Sequence, residues 1–181
     1  VQRGLDHALD EYLVLLAQDG SKEAAERLIV RWSPKLLAFA GRTLGSHENA
    51  RDVVQNTWES ALRNLRKLDD PARFAGWLYA IIARKCTDEM RGKYRRRRLT
   101  EAIVPQPADY AAGPNADAAL DLQAALQLLP SEQRVAVSLY FGEGLSVGEI
   151  AVITGVPAGT VKSRLFAARR TLRACIDGEE Q

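Results

Sequence analysis

Cysteine and histidine, the residues most often recruited for metal binding and nucleophilic chemistry, are scarce: two of each in 181 residues. Cys86 and Cys175 lie far apart with no CxxC spacing, which excludes a disulfide framework and leaves buried free thiols in apolar helical patterns. His7 and His47 stand alone, and His47-Glu48 is not followed by the second histidine of a zinc-protease helix. Gly142-Glu143-Gly144 lacks the third glycine of a dinucleotide loop, and neither a Walker loop nor a serine-nucleophile elbow occurs. These absences point away from an enzyme, a metal or any other cofactor. No stretch reaches the ~20 apolar residues of a membrane span, and the N-terminus lacks a signal-like apolar run. The chain therefore reads as soluble and cytoplasmic, without membrane insertion. Val1 in place of Met suggests a trimmed or processed start.

Charge is present but unevenly placed. The net charge is only +2. Residues 1–83 balance 11 bases with 11 acids, whereas residues 84–98 carry 8 bases and 2 acids. Residues 99–132 then hold 5 acids and no base, and residues 157–173 hold 5 bases and no acid. Two separate basic clusters are the footprint of a nucleic-acid binder with two contact surfaces. Solvated helix faces are the alternative, and they suit one cluster better than two.

Helical spacing dominates and period-two alternation is scarce, so an all-α fold is expected. Val53, Val54, Thr57, Trp58, Ala61, Leu62 and Leu65 form one apolar stripe, with Asp52, Gln55, Asn56 and Glu59 on the opposite face. Phe74, Trp77, Leu78, Ile81 and Ile82 begin a second stripe running towards Cys86 and Met90, with Pro71 placed for its first turn. Leu28 to Leu44 reads as another helix, with Pro34 a kink and Gly45-Ser46 its close. Three of the seven prolines then fall between residues 99 and 119, among alanines and acids without apolar period. This predicts a flexible linker over 99–117 between a helical domain at 1–98 and another at 118–181.

In the second half, Leu120 to Leu129 ends at Pro130, and a helix from about Glu132 to Phe141 stops at Gly142-Glu143-Gly144. Ser146-Val147-Gly148-Glu149 has the form of a capping box, opening a short helix that ends at Thr154-Gly155. Another helix runs from near Pro157 to about Cys175. Ala151, Gly155 and Val161 have helix-turn-helix spacing: a small residue for close approach, a glycine for the turn, a branched residue for packing. Val161, Leu165, Ala168 and Leu172 form the inward stripe of the last helix. Lys162, Ser163 and Arg164 are placed to meet base edges, and later arginines to meet phosphates. The bland alternative is an αα-hairpin with a solvated basic face.

Ser146 to Leu172, with Val156-Pro157-Ala158-Gly159-Thr160-Val161-Lys162-Ser163-Arg164-Leu165 inside it, closely resembles the promoter-binding fourth region of extracytoplasmic-function (group four) sigma factors of bacterial RNA polymerase. Leu129-Pro130-Ser131-Glu132-Gln133-Arg134 resembles the opening of that domain. Asp52-Val53-Val54-Gln55 resembles the family helix that docks on the polymerase clamp. Phe74-Ala75-Gly76-Trp77-Leu78-Tyr79, with Asp88-Glu89-Met90-Arg91 and Arg95 to Arg98, resembles the helix that captures the melted minus-ten strand.

The resemblance implies a non-catalytic subunit that binds core RNA polymerase and directs initiation at promoter DNA, together with an anti-sigma factor that masks it. It implies minus-35 contacts from Thr160, Lys162, Ser163, Arg164, Phe166, Arg169, Arg170 and Arg173. Minus-ten contacts would come from Trp77, Arg84, Lys85, Arg91, Arg95, Arg96, Arg97 and Arg98, and Asp52, Gln55, Asn56 and Glu59 would meet the polymerase. For Trp77 and Tyr79 core packing is the competing reading, and for Arg95 to Arg98 a solvated tail. Asn56 stands where an acid is frequent, Ala80 and Arg84 where arginine and asparagine are frequent, and Ala167 where a base is common. The rival function is a stand-alone helix-turn-helix regulator that binds an operator by itself, usually as a two-fold dimer.

Overall fold

The computed structural model describes residues 2–100 and 123–177, with side-chain surroundings for 6–96 and 123–174. Every regular element among the described residues is helical. The first half contains α1 (Gln2–Gln18), α2 (Lys22–Leu44), α3 (His47–Asn64) and α4 (Phe74–Thr100). The second contains a helical turn at 123–127, then α5 (Ser131–Val137), α6 (Val147–Thr154) and α7 (Ala158–Asp177). The linker expected at 99–117 begins two residues inside α4, and the rest of it lies outside the described residues.

Local chemistry sets these boundaries. The hydroxyls of Ser21 and Ser46 accept from the N–H groups of Ala24 and Asn49 and so start α2 and α3. Gly45 ends α2 with φ 68°, a left-handed value that suits a residue without Cβ. α2 continues through Pro34. Pro71 opens not α4 itself but a short 3-10 turn, Pro71–Arg73, because the Asp70 carboxylate caps Ala72 N–H one turn earlier. Ser146 and Glu149 form the expected reciprocal capping box on α6.

The core of the first half lies where α2, α3 and α4 meet. Leu28, Leu36, Phe39, Leu78 and Ile82 are fully buried there. Edge-on aromatic pairs knit the helices: Trp32 with Phe74 at 5.8 Å, and Phe39 with Tyr79 at 5.8 Å. Trp58 Nε1 donates to Ser33 Oγ at 3.0 Å. α1 is clamped alongside by Arg31, which donates to Asp10 and Asp6, both at 2.7 Å. Cys86 is buried as expected, and desolvation, then Glu89, push its thiol up to about 12, so it is not a ready nucleophile.

The two halves are in contact, which differs from two bodies separated on a tether. Val135, Leu139, Ile150, Ile153 and Val161 from the second half join the same buried cluster as Phe39 and Leu78 from the first. A smaller cluster of Leu126, Leu129, Val137 and Ala168 belongs to the second half alone. The reason lies in α6, a short and largely apolar helix packed against both α4 and α7. Ile150 and Ile153 are its buried residues.

Polar groups line the same seam. Arg134 is buried and donates to the Thr43 carbonyl across the seam at 3.3 Å, and to the Gln127 and Leu129 carbonyls at 2.6 and 3.0 Å. Desolvation lowers its guanidinium to about 10, still charged at neutral pH. Gln123 Nε2 donates to the Arg42 carbonyl at 3.1 Å.

Candidate nucleic-acid and polymerase interfaces

The helix-turn-helix is formed as its spacing predicted. Gly155 takes φ 67° at the end of α6, and Val156 N–H returns to the Ala151 carbonyl at 3.2 Å. Val161 and Ala168 are fully buried, with Leu165 and Leu172 half-buried behind them. Lys162, Ser163, Phe166, Arg169, Arg170 and Arg173 are exposed, while Thr160 and Arg164 are half-buried at the edge. Lys162, Phe166, Arg169 and Arg173 fall at steps of four, three and four, which stacks them on one face of α7. Phe166 is 72% exposed amid these cations. Ser163 Oγ donates to the Thr160 carbonyl at 2.9 Å, so its lone pairs face outward as acceptors. No acid occurs on α7 before Asp177.

A second basic surface follows α4. Trp77, half-buried against Phe74, lines an open groove of about 460 Å³ with Arg84, Lys85 and Asp88. Asn64 and Lys67 supply the opposite wall and were not singled out from the sequence. Asp88 also borders a larger cleft of about 940 Å³ containing Arg91, Tyr94 and Arg95. Trp77, Arg84, Arg91 and Arg95 recur at seven, seven and four residues, a track along one side of the helix. Arg95 and Arg96 are exposed, Arg96 reaching Glu89 at 3.4 Å. Arg97 and Arg98 continue α4, their side chains outside the description.

Tyr79 behaves differently from its neighbour Trp77. It is 5% exposed, packs on Phe39 and Trp32, and its hydroxyl donates to Glu143. Burial, then the Glu143 carboxylate, push its phenol well above the usual value, so it remains a donor. The core-packing reading holds for Tyr79, while Trp77 sits in the groove wall.

The third surface is the polar face of α3. Asp52, Gln55, Asn56 and Glu59 are all exposed, while Val53, Val54, Thr57 and Trp58 are buried behind them. Arg63 donates to the Glu59 carbonyl at 3.1 Å and lies 4.0 Å from its carboxylate. The face is thus a mixed acidic and amide strip with little internal pairing.

Glu132 and Glu143 were missed by sequence reasoning. Glu132 accepts from Arg91, and Glu143 from both Arg42 and Tyr79. Partial burial opposes ionisation of Glu132, but its own N–H, Arg91 and Ser131 together hold the carboxyl below the usual range.

This arrangement defines a class: an all-helical nucleic-acid binder with a helix-turn-helix in one half and a basic helical track in the other. Residues 28–96 match the Sigma-70 region 2 family and residues 119–172 match Sigma-70, region 4. The ECF RNA polymerase sigma factor EcfG of Rhodopseudomonas palustris is 34% identical over 152 residues, covering 81% of this chain and 83% of that protein. SigE of Mycolicibacterium smegmatis is 34% identical over 157 residues, covering 82% of this chain and 60% of that longer protein. Among solved structures, CnrH in complex with the cytosolic domain of CnrY has a TM-score of 0.70 and 29% identity, covering 94% of this chain and 98% of that one. The sigma factor RpoE bound to the anti-sigma factor NepR from Bartonella quintana has a TM-score of 0.65 and 27% identity, covering 84% and 96%. The chain belongs to the extracytoplasmic-function sigma factors, non-enzymatic DNA-recognition subunits of RNA polymerase. No helix among the described residues is long and apolar enough to cross a membrane.

Proposed function

We propose that α7 reads the minus-35 duplex in the major groove, that the groove and basic track of α4 hold the melted minus-ten strand, and that the polar face of α3 docks on core polymerase in the cytoplasm. The observation that carries this reading is the pair of basic surfaces, one on a helix-turn-helix and one beside an aromatic-lined groove. A duplex reader needs a helix with exposed donors, and Lys162 to Arg173 supply them. A single-strand holder needs cations beside an aromatic or pocketed site, and Trp77, Arg84, Lys85 and Asn64 supply that. A stand-alone regulator has use for the first surface only. In vitro transcription with core polymerase, with and without this chain, tests the reading: promoter-specific transcripts should depend on it. An anti-sigma factor is the proposed regulatory partner, in keeping with the complexes of the structural relatives.

Two outcomes separate the roles within these surfaces. Lys162→Ala is expected to cost about 1–3 kcal/mol of discrimination at one or two minus-35 positions. Arg170→Ala or Arg173→Ala should weaken every sequence nearly equally, because phosphate contacts carry no base information. A base-by-base promoter scan checks this, and the reverse pattern would overturn the assignment of α7. On α3, Asp52→Ala combined with Gln55→Ala should lower affinity for core polymerase while leaving minus-35 duplex binding intact. Unchanged affinity in a competition assay would return that face to ordinary solvation.

A further inference from the structure

Between α3 and α4 the chain passes through a 3-10 turn, Leu65–Lys67, and one residue at the end of α1 ties that helix to it. Leu65 and Leu68 turn inward and are buried, while Arg66 and Lys67 between them are exposed. Carbonyls at the end of a helix lack intrahelical donors, and a side-chain amide has two N–H groups to offer them. Gln18 meets this need: its Nε2 donates to the Leu65 carbonyl at 2.9 Å and to the Leu68 carbonyl at 2.8 Å. The tie is returned. Arg66 Nε donates at 3.1 Å to the backbone carbonyl of Gln18, the last residue of α1. α1 also packs on the Pro71–Arg73 turn, so it braces the connection from α3 to α4 at both of its turns.

We propose that Gln18 is a positioning residue for the strand-holding groove, acting through Lys67. The inference rests on the reading of the α4 groove given above. Asn64 and Lys67 form the wall opposite Trp77, but they are held in different ways. Asn64 is kept by its own helix, its amide donating to the Ser60 carbonyl at 2.8 Å. The Lys67 ammonium has no hydrogen bond or ion pair among the described residues, so the backbone beneath it sets its place. That backbone is what Gln18 holds. Of two adjacent cations, Arg66 is drawn to α1 and Lys67 is left to the groove. A lysine acts on a strand as a point charge on a flexible stem, so the origin of the stem decides which phosphate it meets. Sites keep such geometry when the supporting residues are locked by packing and hydrogen bonds, here buried Leu65 and Leu68 with their carbonyls taken by Gln18. A brace that served stability alone would act on Lys67 no more than on the rest of the groove.

The test uses the free full-length chain and a labelled single-stranded minus-ten oligonucleotide, with binding read by fluorescence anisotropy at several salt concentrations. Gln18→Met keeps the length of the side chain, removes its donors and leaves the charge unchanged; Gln18→Ala is a second neutral variant. Lys67→Ala, and Lys67→Ala combined with Gln18→Met, complete a double-mutant cycle. Circular dichroism confirms that each variant is folded, and the NMR order parameter of the Lys67 backbone amide reads the turn without DNA. Lys67→Ala and Gln18→Met should each weaken binding about tenfold, the low end of what a charge-assisted hydrogen bond contributes. Each should also make the slope of log K against log salt shallower by about 0.7, the loss of one phosphate contact on a single strand. The combined variant should bind no more weakly than Lys67→Ala. In Gln18→Met the Lys67 order parameter should fall from about 0.85 to below about 0.6. Additive losses in the combined variant, or an unchanged salt slope in Gln18→Met, would make Gln18 a general brace and overturn the proposal. A Lys67 amide as ordered in Gln18→Met as in the wild type overturns it too. If Lys67→Ala and Trp77→Ala both bind as the wild type does, the strand-holding reading of the groove is overturned. A fall in the Lys67 order parameter would then still support the hold of Gln18 on the turn.

Discussion

Truncating Phe39 to alanine is expected to lower the stability of the whole chain by about 3–5 kcal/mol. Phe39 is fully buried and its ring meets Tyr79 edge-on at 5.8 Å. Tyr79 in turn donates to Glu143 in the second half. The cavity left by Phe39 would therefore loosen both the first-half core and the ground under the seam. Against a usual total of about 5–15 kcal/mol, such a loss removes a large part of the margin. All three tryptophans, Trp32, Trp58 and Trp77, lie in the first half, so their fluorescence reports that half, while far-ultraviolet circular dichroism reports helices in both. A continuous core predicts that the two signals change together on urea unfolding, in the wild type and in Phe39→Ala alike. If the second half melted separately, with a midpoint untouched by Phe39→Ala, the shared cluster would not be the source of its stability.

Much of this architecture is written in local chemistry. The α3 and α7 stripes, the Ser146–Glu149 capping box and the left-handed Gly155 each follow from residues within one or two turns of each other, and each is formed as the spacing demands except at Leu62, which α3 leaves 42% exposed. The seam follows from nothing local. Arg42 and Glu143 are 101 residues apart, and the chain joining the halves contains the proline-rich stretch that argued for independence. Charge counting sees Glu143 as one acid in a turn, and periodicity cannot say that it accepts from Arg42 on a distant helix. Arg134 illustrates the same limit. In the sequence it is the last residue of a recognisable motif, yet in the fold it is a buried cation that donates to three backbone carbonyls, one of them across the seam, and to the Gln127 side-chain oxygen. Trp77 and Tyr79 show why the α4 site was only half readable. Two residues apart on a helix, they point about 200° apart, and only packing decides which faces the groove.

Free chain is expected to bind intact promoter duplex weakly and with a steep salt dependence, and core polymerase is expected to convert this into tight, sequence-selective binding. Two costs stand against the free chain. The minus-ten bases are paired in duplex DNA, so the α4 groove finds no extruded strand. The closed packing keeps α4 and α7 too near one another to reach both elements. What remains is α7 alone, with five bases between residues 157 and 173. If all five met phosphates, log K would fall with log salt with a slope of at most about −4.5, a loss of about 500-fold between 50 and 200 mM. On the proposed reading, core polymerase supplies a melted strand, so both surfaces act on one DNA and their contributions combine. The gain over the free chain should fall within the range of about 10³–10⁷ that separates specific from non-specific binding. A premelted minus-ten bubble should raise affinity further by removing the cost of strand separation. The measurement is a titration of labelled duplex and bubble promoters at fixed salt, with and without core polymerase. Nanomolar, sequence-specific binding of intact duplex by the chain alone would defeat this account and favour a regulator that works without polymerase.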